Sequence, residues 1–194
     1  MFTKDFSRTA SHVTSGLMAG TLIEGPHGWL PVQDLRIGDR VQSYDGGLAR
    51  VLGLDRQWIM PARGDYLLHL PGGALDNCSD LILLPGQSVL IDTLNDAELP
   101  DDSVVLIPAA ALEGVLGTSR AQILKPMEVI TPRFGDDEAI FANSGTLLHC
   151  PGIRHIAGQP ESGFFTQFDL VQARAFLLRV YTAPAAATLR RLAA

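Results

Sequence analysis

Short apolar runs, each about one β-strand long, are set apart along this chain by glycine, proline and other turn residues. They include "TLI", "LARVLGL", "YLLHL", "SVLID", "SVVLI", "MEVI", "AIFA" and "TLLHC". Strand-sized runs at fairly regular spacing predict an all-β sandwich or barrel. The clearest hairpin is "RVQSYDGGLARVLGL", where Asp45-Gly46 can supply the positive φ of a tight turn between two β-rich arms. At 194 residues the chain suits one domain, or one domain with a small appendage, and is long enough to bury a sizeable core.

Two stretches depart from this pattern. "PAAALEG", residues 108–114, has proline at its start and glycine at its stop, and predicts one or two helical turns. "DLVQARAFLLRVY", residues 169–181, predicts a longer helix. Asp169 can cap it, with Gln172 three residues on. Leu170, Ala173, Leu177 and Tyr181 then share one face, flanked by Val180, and would pack on the β body. "TAPAAATLRRLAA" after it reads as a further short helix or a frayed tail. Residues 95–102, "NDAELPDD", read as an acidic solvated loop.

Charge and cysteine content narrow the function. A formal net charge of −6 with no basic cluster argues against nucleic acid and anionic membrane as partners. No apolar stretch reaches the roughly 18 residues of a membrane span. The polar start "MFTKDFSRTASHVTSG" holds no signal-peptide core, so the cytoplasm is the default compartment. Cys78 and Cys150 are the only cysteines, too few for a disulfide framework or a four-thiolate zinc site, and the expectation is two reduced, largely buried thiols. His149, Cys150 and His155 offer three metal donors without a fourth, and neighbours on a strand face opposite sides. No metal and no cofactor is expected. Nucleophile-elbow, zinc-protease and phosphate-loop motifs are all missing from the sequence, which disfavours an unrelated hydrolase.

Residues 15–47, "SGLMAGTLIEGPHGWLPVQDLRIGDRVQSYDGG", contain five pieces at fixed spacing: Gly20-Thr21-Leu22-Ile23, Gly28-Trp29, Pro31-Val32 with Asp34-Leu35, Gly38-Asp39-Arg40-Val41 and Asp45-Gly46-Gly47. Together they resemble the opening of the Hint family, the Hedgehog/intein autoprocessing domains, and more closely its bacterial stand-alone branch. "LLPGQSVLI", residues 83–91, is similar to the family's "SPxHRVLV" block. "EAIFANSGTLLHC", residues 138–150, is similar to its closing "HNFIANGILVHN" block if Ser144 is an inserted residue. The resemblance implies a Hint-like β-fold over residues 15–150, a flexible segment over residues 1–14, and an extension over residues 151–194 carrying the helix.

It also implies which positions should carry chemistry. The family's Cys or Ser nucleophile attacks the carbonyl of the preceding residue, and a block histidine protonates the leaving nitrogen. Counting back from Gly20 puts the nucleophile at Gly16, which has no side chain. Ser15 stands one residue away, as a displaced candidate. The block Thr/Ser and His positions hold Leu84 and Gln87, and an amide cannot shuttle a proton at neutral pH. His69 lies upstream on a strand and reads as a core or face residue rather than a replacement. In the closing block, His149 is followed by Cys150 where an intein has the cyclising Asn; Asn143 sits in the turn before it. The expectation is a degenerate Hint domain without self-cleavage, a β-rich binding or structural module for a protein or extended peptide. The alternative is N-terminal self-cleavage by Ser15.

Overall fold

The computed structural model describes residues 13–45, 47–93, 104–153 and 164–192. Its strands, in chain order, are β1 (Leu17–Met18), β2 (Leu22–Gly25), β3 (Gly28–Pro31), β4 (Arg40–Gln42), β5 (Leu48–Arg50), β6 (Gly53–Ile59), β7 (Tyr66–Leu70) and β8 (Leu81–Leu83). They continue as β9 (Ser88–Asp92), β10 (Val104–Pro108), β11 (Ser119–Gln122), β12 (Met127–Arg133), β13 (Glu138–Ala142), β14 (Thr146–Cys150) and β15 (Thr166–Gln167), followed by α1 (Leu170–Leu192). The all-β reading with one C-terminal helix holds.

Two sheets enclose the main core. One has six strands in the order β11-β7-β8-β1-β12-β6; the other has seven, β15-β10-β9-β14-β13-β2-β3. β4 and β5 form a separate two-stranded ribbon. Alternation along each strand sorts the side chains. Leu81 and Leu83 of β8, Val89 and Ile91 of β9, and Val105 and Ile107 of β10 point into the main core. Their alternates face elsewhere: Ile82 joins Met18, Ile59, Leu67, Leu84 and Val129 in a second cluster, while Leu90 and Leu106 join Ala139 and Phe165 in a third.

Local signals behave as their chemistry dictates. Gly38 adopts φ +101°, within the region that favours glycine. β4 and β5 pair as the expected hairpin, Arg40 with Arg50 and Gln42 with Leu48; Gly46 of its turn lies outside the described residues. Residues 108–114 close into a single 3-10 turn over Ala109–Leu112, because Pro108 ends β10 in an extended conformation. The acidic loop at 95–102 and His155 lie outside the described residues. So do residues 1–12 of the N-terminal segment, whereas Val13 packs on the second cluster.

The helix is capped as expected. The Val171 and Gln172 N–H groups donate to Asp169 Oδ1 at 2.8 Å, and the Asp169 N–H donates to Gln172 Oε1 at 3.0 Å. Two features differ. The helix continues past 181 to Leu192 as one element, running through Pro184. Its buried face is Ala173, Phe176, Leu177 and Val180; Leu170, expected on that face, is 45 % exposed in the first turn. Phe176, stacked edge-on with Phe168, fills the space instead. Among the described residues no helix is long and apolar enough to cross a membrane.

Candidate functional site

β1 lies between β8 and β12, with Leu17 opposite both Leu83 and Ile130. Gly16, immediately before it, is therefore drawn into the centre of the six-stranded sheet. Residues 84–87 leave the end of β8 and carry the chain across to β9 in the other sheet. The Gln87 N–H closes this turn on the Leu84 carbonyl at 3.0 Å, and the N–H groups of Ala109 and Ala110 donate to the carbonyls of Gln87 and Pro85. The turn is thus fixed before any side chain is considered.

Gln87 is 1 % exposed and all its side-chain polar atoms are engaged. The Gly16 N–H donates to Oε1 at 2.8 Å, while Nε2 donates to the carbonyls of Ser88 and His149, each at 2.9 Å. An amide N–H must meet an oxygen and two carbonyls must meet donors, so only one orientation of the carboxamide fits. Two residues after Gln87, the sheet register places Leu148 beside Val89. The Gly86 N–H donates to the Thr14 carbonyl at 3.0 Å. A Cβ on Gly86 would lie 2.7 Å from that oxygen, so glycine lets the two backbones meet. Residues 14–16 are consequently held across the turn, bending at Ser15 and Gly16, with the Ser15–Gly16 peptide between two anchoring hydrogen bonds.

The structure brings Gly16, Gln87 and His149 together, as the motif alignment requires, but through unexpected groups. It is the His149 carbonyl that meets Gln87; the imidazole lies with its Nε2 3.9 Å from Asp137 Oδ1. Ser15 is exposed. The Leu84 side chain is buried in the second cluster and contributes only packing. Cys150 is buried in the main core, and its thiol is pushed far up, first by desolvation and then by Glu138, against a downward pull from Arg133. A buried thiol of this kind is inert as a nucleophile at neutral pH. Cys78 is exposed; neither cysteine is bonded to the other. His69 lies on β7, its Nε2 2.7 Å from Asp80 Oδ2. That hydrogen bond, with one from the Gly72 N–H, holds the Asp80 carboxyl below its ordinary range.

An acidic corner lies beside the strand that carries His149 and Cys150. Ser43 is buried and donates to Asp45 Oδ1. Glu138, opposite Cys150, titrates above the ordinary 4.5, chiefly from desolvation, then from Asp45, with further contributions from Asp136 and Asp137. The folded chain therefore holds this proton more tightly than the unfolded chain does. Ionised Glu138 costs stability at neutral pH, and that cost is removed as pH falls through its raised value toward the ordinary one. Accordingly, Glu138→Gln raises the thermal midpoint at pH 7, and the gap from the parent closes as the pH approaches 4.5. A gap that is constant with pH rules out this account.

Residues missed by the sequence reading also line the site. Thr14 and Gly86 form a backbone contact, and Val129 and Thr131 of β12 stand beside Gly16. No local motif announces Val129 and Thr131; they arrive through the pairing of β1 with β12. Among the described residues no cluster of His, Cys, Asp and Glu could hold a metal ion.

Comparison with known proteins places this arrangement. The family model described as the Hint domain matches residues 15–147. Among solved structures, a bacterial intein-like domain from Clostridium thermocellum is 16 % identical, with 70 % of this chain and 98 % of that one covered at a TM-score of 0.49. The gp41-1 intein is 12 % identical, covering 71 % and 98 % at 0.44. The MchDnaB-1 intein is 14 % identical, covering 68 % and 98 % at 0.41. No curated protein matches the chain. With the family's model running from Ser15, at the clamped peptide, to Leu147 near the start of β14, the chain belongs to the Hint-domain family.

Proposed function

We propose that this Hint domain has lost self-cleavage and serves as a β-rich structural module that keeps its own N-terminal segment attached and in place. The hydrogen bond from the Gly16 N–H to Gln87 Oε1 carries the reading. Cleavage at this amide needs an attacking group on the carbonyl side and a proton delivered to the nitrogen. Gln87 accepts from that nitrogen and has no titrating proton to give. Gly16 offers no attacking group. The site is occupied by the chain's own residues 14–16, and Thr14 and Ser15 stand where an active relative would carry the end of the segment it releases.

The test is a reporter protein joined ahead of Met1 and followed by intact mass over several days, with and without added thiol or hydroxylamine. The fusion is expected to stay whole. Scission before Ser15 or Gly16 that vanishes in Ser15→Ala would establish the displaced-nucleophile alternative instead.

A further inference from the structure

Gly16 is buried with φ at +123°, and the space beside it is filled. A Cβ on this residue would lie 2.5 Å from Val129 Cγ1 and 2.7 Å from Thr131 Oγ1. Both neighbours are β-branched, so neither can turn away freely about χ1. Val129 is 1 % exposed and packed among Met18, Ile59, Leu67 and Leu84, which removes the room it would need to move. The register explains the approach. Leu17 pairs with Ile130 and Met18 with Val129, so Gly16 falls opposite Thr131, and residues 129 and 131 present their side chains on the same side of β12.

We infer that Val129 and Thr131 seal the reaction site: they occupy the seat that a side chain at position 16 would need, so that a nucleophile is excluded by packing and not only missing. This rests on the reading of the domain as non-cleaving and adds to it. Where Gly16 alone were responsible, Gly16→Cys would return a thiol to an open seat. Here that thiol meets two stiff side chains, and position 16 is coupled energetically to β12. Val129 and Thr131 are positioning residues of an inactive site, and the loss is held by residues far from it in sequence.

The coupling is measurable in the full chain by a mutant cycle on thermal or urea midpoints. The set is the parent, Gly16→Ala, Val129→Ala with Thr131→Ala, and all three substitutions together. The strain of an L-residue at this φ is present in both backgrounds and cancels in the comparison. Gly16→Ala is expected to shift the midpoint roughly twice as far in the parent as in the trimmed background. Equal shifts in the two backgrounds overturn the inference. If Gly16→Ala alone is insoluble, recovery of a folded protein in the triple variant supports the seal. Failure of the triple variant beside a well-folded Val129→Ala, Thr131→Ala protein refutes it. The readout is stability, so it stands or falls independently of whether the N-terminal fusion is cut.

Discussion

Replacing Gln87 with alanine lowers the stability of the folded chain by about 3–5 kcal/mol, as read from urea denaturation. The loss follows from what the carboxamide joins. Removing it leaves the buried Gly16 N–H without its acceptor and breaks the hydrogen bonds to the carbonyls of Ser88 and His149. The stranded N–H costs about 1–3 kcal/mol and each of the other two lost bonds about 0.5–1.5 kcal/mol. Gln87→Glu separates the hydrogen-bond account from simple packing. The carboxylate can still accept from Gly16 but has nothing to donate to the two carbonyls. It is therefore expected to be nearly as unstable as alanine at neutral pH and to recover part of the loss in acid, when protonation restores one donor. A change below about 1 kcal/mol for alanine, or a glutamate variant as stable as the parent at pH 7, would contradict the bridging role.

Asn143→Ala is expected to cost about 2–4 kcal/mol. This residue is 4 % exposed and lies at φ +45° in the three-residue loop between β13 and β14. Its backbone N–H donates to the Leu22 carbonyl at 2.9 Å, and its Oδ1 accepts the Leu22 N–H at 2.8 Å, so backbone and side chain together complete the pairing begun by Ala142 with Ile23. The Nδ2 donates to Ser79 Oγ and the Asp80 carbonyl, tying the loop to the approach to β8. Asn143→Gly tolerates the backbone conformation but lacks the amide, so its cost reports the side chain alone. Alanine should fall below glycine by the strain of the left-handed conformation, about 1 kcal/mol. Equal midpoints for the parent and the glycine variant would remove the amide from the account.

The features readable from sequence are those set by neighbours along the chain. Strand-sized runs became strands, the Asp169–Gln172 cap formed, and Gly38 took its positive φ. The motif spacing also named Gly16, Gln87 and His149 as one neighbourhood. What it could not give was which atoms would meet. Gln87 engages the His149 carbonyl because β9 and β14 are paired, a fact of register and not of composition. Val129 and Thr131 reach Gly16 because β1 is inserted against β12. The helix face was misplaced at Leu170 for a similar reason. A helical wheel orders residues around the axis but does not say which of them meet the sheets: Ala173, Phe176, Leu177 and Val180 are buried and Leu170 stays exposed. Asn143 read as a turn residue; its role as a surrogate ladder partner for Leu22 depends on a strand from the opposite end of the domain.

The central place of β1 has a consequence for how the molecule comes into being. β1 is only Leu17–Met18, and its partners, Leu83 on one side and Ile130 on the other, lie far downstream in the sequence. Closure of such a distant loop is slow because the entropy must be lost before any contact rewards it. β1 can pair with β8 once Leu83 has been made, but its other edge stays open until β12 follows. Until then β6, whose sheet partner is β12, is not joined to the rest of the six-stranded sheet.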